Sequence, residues 1–482
     1  MHNVSSGAGH FIARAVLAAA GVLLYNTAMP VKKNKRTHNS FYKFLAMAAA
    51  LCIAAGTAAV AFALAPAAPR PLDQMERMEL EAQLDGRYRR RAALLSALPY
   101  RLSESSTGAL EIWSRAAIIA DVNTGNILYE KNADQSIPPA SMTKLFVMAV
   151  TEFEIASGRI SLEDKVPLPE ESWAVNLPPD SSLMYLQEGQ RPTLRELMLG
   201  LSVNSGNDAA IAVAVHTAGS VKEFVGRMNR LARDLGLEHT RFVEPSGYSE
   251  ENVTTARDFA KFCAWYIRNF EQSLAAFHAQ RTFTWSGITR ANTNKLLDAL
   301  AGCDGLKTGY ITESGYNICV TAERGGHRFV SVTMGGPGNN AAEGDRTRVH
   351  DGTALMEWAF ANFAVHTETN SDFHRAVKVF GSRERSVYAV PAYSGTFSVP
   401  KGAQITESIV LPDALSFDDM AVAQGIPPSA KADIPAGTPI GKIVYSSPEG
   451  TMQEVPLVTE RALSRNGAAM HLMDRIIWHI IK

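Results

Sequence analysis

The spacing of apolar and polar residues changes along the chain, and the changes divide it. Over 116–135, "AAIIADVNTGNILYEKNADQ", two short apolar runs flank Asn-Thr-Gly-Asn, which predicts a β-hairpin. Over 141–158 the period turns helical, with Leu145, Val147, Met148 and Val150 apolar and Gly158 as a stop. Helices are predicted again at 194–202, 207–219 and 221–236. The segment 316–336 reads as strand, Gly-Gly turn, strand, and 346–363 as a long amphipathic helix. Strands at both ends with helices between predict an antiparallel sheet packed on a helical cluster, an α/β (α+β) domain spanning 108–366. Beyond about residue 370 short β-rich runs alternate with Pro, Gly and Ser turns, which predicts a separate small all-β domain at 373–459. The last stretch, 467–482, places Met470, Met473, Ile477 and Ile481 about one helical turn apart, with Trp478 beside them. It is too short to span a bilayer but suits a helix lying in the membrane interface; a C-terminal helix docked on the protein is the plainer alternative.

The N-terminal 66 residues read as a leader. Residues 44–65 carry no charge and follow Lys32, Lys33, Lys35, Arg36 and Lys43. At about 1.5 Å per residue a helix of this length covers about 33 Å, enough for a hydrocarbon core. The basic flank stays in the cytoplasm, so the remainder is exported, with 44–65 acting as a signal or an anchor. Met29 opens a complete basic n-region of its own, so translation starting there is an alternative to Met1. Residues 67–107 begin Pro-rich and continue as a charged, helix-prone stalk, to which no chemistry attaches.

Composition adds mainly exclusions. The chain has 482 residues and a formal net charge of −1, with no basic stripe, so nucleic acid is not expected as a partner. Its four cysteines show no metal-ligand spacing, and no metal or cofactor is implied. A Cys303–Cys319 bridge is open in an oxidising compartment, although buried free thiols are the simpler expectation.

The candidate chemistry rests on three short motifs. "PPASMTKLF" (138–146) places Ser141 three residues before Lys144, on one helix face, near the unsatisfied N–H groups of a helix start. An SxxK match alone is weak, since Ser40–Lys43 repeats it beside the apolar segment. A serine hydroxyl needs a base, and lysine serves as one only if burial or a nearby cation pulls its pKa towards about 7–8. The reading therefore requires a second positive group, and Lys307 in "DGLKTGYI" supplies it. There Lys307 and Thr308 would hold an anionic group, and Gly309 would let a substrate approach the backbone closely. In "SVNSGNDAA" the Ser205–Asn207 pair is preferred to Ser202–Asn204, because Gly206 permits a tight turn before the next helix. Ser205 would relay protons and Asn207 would hydrogen-bond the substrate amide. Separately, each motif is matched by a bland structural reading; in this order they form the set of serine acyl-transfer enzymes acting on penicillin-like substrates.

The sequence resembles the low-molecular-mass penicillin-binding proteins, D-alanyl-D-alanine carboxypeptidases of serine peptidase family S11, over about 110–465. "AAIIADVNTGNILYEKNADQSIPPASMTKL", "LSVNSGNDAAIAVAVHTAGS", "FVEPSGYSEENVTTARDFAKF" and "CDGLKTGYITESGYN" carry the resemblance. It implies a transpeptidase-like catalytic domain, a β-rich domain and a C-terminal amphipathic membrane helix. It implies Ser141 as nucleophile, Lys144 as general base, and Ser205 and Asn207 as the second motif. Lys307 and Thr308 would bind the peptide's terminal carboxylate, and the backbone N–H groups of Ser141 and Tyr310 would form the oxyanion hole. The implied activity is removal of the terminal D-alanine from peptidoglycan pentapeptide stems at the outer face of the cytoplasmic membrane, with β-lactams as inhibitors. Two alternatives are a D,D-endopeptidase on stem cross-links and a silent peptide-binding scaffold. A β-lactamase is disfavoured, because no glutamate block for deacylation follows Ser205–Asn207.

Overall fold

A computed structural model of the chain describes residues 110–367, 373–392, 396–427, 432–448 and 450–481. The leader, the apolar segment 44–65, the stalk 67–107 and the Ser40–Lys43 pair lie outside the described residues. Strands β1 (Ala116–Asp121) and β2 (Ile127–Lys131) form the expected hairpin. They join β5 (Cys303–Ile311), β6 (Gly315–Arg324) and β7 (His327–Gly336) in one antiparallel sheet of order β2-β1-β7-β6-β5. A small separate hairpin is made by β3 (Thr282–Trp285) and β4 (Ile288–Ala291).

Successive side chains of a strand point to opposite faces, and here both faces are covered. Ala116, Ile118 and Ala120 of β1 pack into one core, and Ala117 and Ile119 into another. The first core holds α1 (Lys144–Ala156), α2 (Leu194–Leu199), α3 (Asn207–Ala218), α4 (Val221–Asp234) and α5 (Ala256–Asn269). The second is closed by the long α6 (Ala341–Asn362), which lies against β6 and β7. Helix α1 is apolar on almost every side because it runs through the middle of the helical cluster. Its Phe146 ring stacks 3.6 Å from that of Phe262 on α5 and lies 4.6 Å from Phe242. Helix α5 is packed nearly as closely, with ten of its fourteen residues buried and Arg257, Lys261 and Arg268 half-buried along one face.

The sequence places Ser141 at a helix start, and the chain there is tighter than that. Ala140–Thr143 forms a 3-10 turn and α1 begins at Lys144, with Ala140 in the left-handed region at φ 51°. Two glycines press on this turn. A Cβ on Gly247, whose φ is +81°, would meet the Ala140 carbonyl oxygen at 1.9 Å, and one on Gly309 would meet that of Pro139 at 2.6 Å. The missing Gly309 side chain thus makes room for the chain's own serine turn, a different use of the space from the expected approach of substrate. Cys303 and Cys319 do not face each other, because the β5–β6 register pairs Cys303 with Ala322 and Cys319 with Lys307. Cys263 and Cys319 are buried, Cys303 half-buried, and all three thiols are free.

The C-terminal β-rich part is a six-stranded sheet of order β12-β14-β15-β10-β9-β13. In it are β9 (Arg375–Phe380), β10 (Ser386–Pro391), β12 (Thr406–Val410), β13 (Ala414–Ser416), β14 (Pro439–Ser447) and β15 (Gly450–Thr459). It is tied to the preceding domain by β8 (Phe363–Thr367), which continues α6 and pairs with β11 (Thr396–Pro400). Asn126 donates to the Met452 carbonyl at 3.2 Å and to Gln453 at 3.0 Å across the same boundary. Ser398 of β11 joins buried Asp121 and His327 there, 2.6 Å from His327 Nε2. Following the short helix α7 (Phe417–Ala423), the chain ends in α8 (Ala468–Ile481). Its Asp474 accepts from the Gly381 N–H at 3.1 Å and its Trp478 donates to Asp419 at 3.2 Å. Its apolar residues Met470, Leu472, Met473, Ile476, Ile477 and Ile480 are exposed by 39–77%. Among the described residues no helix is long and apolar enough to cross a membrane.

The packing on Ala140 sets an expectation for two glycines of similar φ. Gly158→Ala, at φ +73° with open space around it, should cost about 1 kcal/mol from backbone conformation alone. Gly247→Ala adds the collision with Ala140 and should cost more than about 3 kcal/mol. Denaturant midpoints of the two variants check this, and equal losses would show that the contact yields.

Candidate active site

Three elements bring Ser141, Lys144, Ser205, Asn207 and Lys307 together. The 3-10 turn and the first residue of α1 supply Ser141 and Lys144, with Lys144 Nζ 2.9 Å from Ser141 Oγ. The turn before α3 supplies Ser205 and Asn207. Ser205 ends a π-helical turn, Gly200–Asn204, in the left-handed region at φ 61°. A residue with a side chain held there is costly, and such positions cluster at functional sites. Strand β5, an edge of the five-stranded sheet, supplies Lys307, Thr308, Gly309 and Tyr310.

Lys144 is wholly buried and its amine has three neighbours. It donates to Asn207 Oδ1 at 2.8 Å and to the Ser246 carbonyl oxygen at 2.5 Å, and the third is Ser141 Oγ. The first two oxygens can only accept. They take both N–H bonds of a neutral amine and leave its lone pair for the serine O–H. Burial pushes the Lys144 pKa down from the ordinary lysine value to about 7, while the charges of Glu244 and Asp208 pull it back up. The amine is thereby poised between its two forms near neutrality.

Lys307 is buried as well, and donates to Ser205 Oγ and to the Thr308 carbonyl, both at 3.0 Å. Burial first, and the Lys144 charge second, hold its pKa well below the usual lysine range. The second positive group that the sequence demands is present, but it is burial that lowers Lys144, against the pull of two carboxylates, and in Lys307 burial outweighs the Lys144 charge. Behind β5 lies His278, bonded to Tyr266 at 2.9 Å and Ser202 at 3.1 Å. Burial and the Lys307 charge push its pKa down to about 3, so it stays neutral beside the lysine.

Asn207 spends Oδ1 on Lys144, so only its NH2 end remains for a substrate. Thr308 Oγ1 donates to Thr293 Oγ1 at 2.7 Å. Tyr310 stacks on Tyr316 with ring centroids 4.4 Å apart, and the Arg348 guanidinium lies over the other ring. Arg348 also donates to the Gly309 carbonyl at 2.6 Å, bracing the open edge from behind. Ser141, Asn207 and Tyr310 line a cavity of about 360 Å³, whose wall also carries Asp180, Tyr248 and Glu313. The cavity runs beside the β5 edge, so an extended chain can lie in it with its reacting bond at Ser141.

Some of the machinery is absent from the three motifs. Ser246 reaches Lys144 through its backbone, an interaction no side-chain pattern announces. Asp208, the second residue of α3, accepts the Met184 and Leu186 N–H groups at 2.9 and 3.0 Å and pins the segment over α3. The Glu-Pro-Ser-Gly run at 244–247 was a visible signal for this wall, because a short polar turn ending in glycine marks a close backbone approach.

Comparisons with known proteins agree with this architecture. Residues 103–338 match the family model described as D-alanyl-D-alanine carboxypeptidase. The D-alanyl-D-alanine carboxypeptidase DacA of Haemophilus influenzae is 32% identical over 338 residues, covering 70% of this chain and 81% of that protein. DacC of Escherichia coli is 29% identical, covering 78% and 90% respectively. Among solved structures, penicillin binding protein 5 from Haemophilus influenzae superposes with a TM-score of 0.65 at 29% identity, over 75% of this chain and all of that one. Penicillin binding protein 6B from Escherichia coli gives 0.58 at 28% identity, with the same coverage.

Proposed function

The chain belongs to the D-alanyl-D-alanine carboxypeptidase family of serine peptidases, and from that membership we propose how its residues carry out the reaction. The observation that carries the proposal is the buried amine of Lys144, 2.9 Å from Ser141 Oγ with its other two bonds taken by pure acceptors. A peptidoglycan pentapeptide stem lies extended along the open edge of β5. Its terminal carboxylate is drawn to Lys307 and Thr308, and the Asn207 amide NH2 holds a backbone carbonyl further up the stem.

Ser141 Oγ attacks the carbonyl of the penultimate D-alanine while neutral Lys144 takes the hydroxyl proton. The tetrahedral oxyanion is held by the backbone N–H groups of Ser141 and Tyr310. Collapse breaks the peptide bond, and the proton that Lys144 took passes by way of Ser205, held by Lys307 Nζ at 3.0 Å, to the leaving amine of D-alanine, which returns Lys144 to its neutral form. Water then attacks the acyl-Ser141 ester with Lys144 again as base, and the proton returns to Ser141 Oγ as the ester bond breaks and the shortened stem leaves. A β-lactam enters the same sequence, because its strained amide presents a carbonyl to the same serine. No step draws on a metal or cofactor.

The protein works exported and attached to the outer face of the cytoplasmic membrane. Helix α8 supports the attachment. A surface helix of a soluble protein turns its polar side to water, whereas α8 turns Asp474 and Trp478 to the protein and an apolar row outward. Such a row suits burial at the headgroup boundary.

A fluorescent penicillin followed by peptide mapping should place the label on Ser141; label elsewhere overturns the assignment. Ser141→Ala should lower D-alanine release by about 10³-fold or more while leaving the melting temperature within a few degrees. With pH, the acylation rate should climb about tenfold per unit below about pH 7 and level off above it. The sign follows from Lys144, which is protonated and unable to accept the serine proton on the acid side. Replacing Met473 and Ile477 by glutamate, in a chain starting after residue 107, should weaken sedimentation with anionic phospholipid vesicles several-fold. Unchanged sedimentation would reject the interfacial role of α8.

A further inference from the structure

The wall opposite the nucleophile turn is organised around one carboxylate that none of the three motifs contains. Glu244 is half-buried and folds the segment 244–249 onto itself. Its Oε2 accepts the Ser246 N–H and the Ser246 hydroxyl, both at 2.6 Å, and its Oε1 accepts the Gly247 N–H at 2.6 Å. Asn252, wholly buried, donates to Oε1 at 2.9 Å and to the Glu244 carbonyl at 3.1 Å, and its own Oδ1 accepts the Val243 N–H at 2.7 Å. Asn252 Nδ2 also reaches Thr143 Oγ1 at 3.4 Å, inside the serine turn.

This folding has two effects at the reacting centre. It aims the Ser246 carbonyl at Lys144 Nζ, 2.5 Å away, and it seats Gly247 against the Ala140 carbonyl, next to Ser141. A carboxylate gathering two adjacent backbone N–H groups fixes the peptide planes on either side of Ser246, and with them the direction of that carbonyl. One carboxylate thus sets the orientation of an acceptor to Lys144 and brings a negative charge close to it.

We propose that Glu244 is a positioning residue for Lys144: it holds the Ser246 carbonyl on the amine and sets, by its charge, the pH at which the amine becomes a base. The inference rests on the acyl-serine reading above and deepens it. The charged groups around Lys144 are Glu244 on this loop, Asp208 on α3 and Lys307 on β5, and α1 itself brings no other charge to the amine. The two carboxylates favour the ammonium form and oppose burial. Neutralising Glu244 therefore moves the base point downward, while loss of its grip on Ser246 slows the reaction at every pH.

The test is the pH profile of acylation by a fluorescent penicillin, for the full chain and for Glu244→Gln, which keeps the shape and removes the charge. The acid limb of Glu244→Gln should shift about 0.5–1 pH unit lower, with a plateau about 3–10-fold below the parent. A limb that stays within about 0.2 unit of the parent, or moves up, overturns the proposal whatever happens to the plateau. Should Glu244→Gln not give a cooperatively melting protein, Glu244→Asp decides instead. Its charge is withdrawn by one methylene, so limb and plateau should both fall, by less; parental values of both would overturn the proposal. Peptide mapping of the parent separates the two levels. Label absent from Ser141 removes the acyl-serine reading and this role with it, whereas label on Ser141 with an unmoved limb removes this role alone.

Discussion

Burying Lys144 is the constraint around which the rest is arranged. Its pKa near 7 instead of 10.5 corresponds to roughly 5 kcal/mol of preference for the neutral form, at about 1.4 kcal/mol per unit. That preference is what makes a lysine useful as a base, and it exists only while water is kept from the amine. The exclusion comes from several directions. Helix α1 runs through the centre of the helical cluster, with Phe146 and Phe262 stacked beneath its first turns. The 244–249 loop closes one side, α3 another, and β5 with its own buried lysine a third. The hydrophobic core therefore has a chemical as well as a mechanical task.

The two-faced sheet extends this rigidity to the substrate side. Because β5 is an edge strand, its outer backbone is open to an extended peptide, yet β6, α6 and Arg348 brace it from within. On the far side of the sheet β8 and β11 couple the β-rich domain directly to α6. A buried Asp121–Ser398–His327 cluster lies at the same boundary. A polar cluster with satisfied partners specifies one packing where apolar contact alone tolerates several.

Much of this was legible in the sequence. The hairpins at 116–131 and 315–336, the helix after Ser141 and the loss of helical period beyond 370 all follow from spacing, and the fold class with them. What escaped did so for physical reasons. The tight turn at Ala140 depends on a left-handed residue that is not glycine, which no propensity marks. Ser246 acts through its carbonyl, and Glu244 through backbone N–H groups adjacent in sequence, so neither leaves a side-chain spacing to recognise. Gly309 was read as clearance for a ligand because sequence alone cannot say which neighbour occupies the space a Cβ would fill.

The contact of Gly247 and Gly309 with the Pro139–Ala140 turn also bears on how such a protein can change under drug pressure. These three surfaces touch with no room for a methyl group between them. A side chain at Gly247 or Gly309 would displace the turn that carries Ser141, whichever molecule is to react there. Those two positions are therefore closed to any change that would keep the drug out and spare the native reaction.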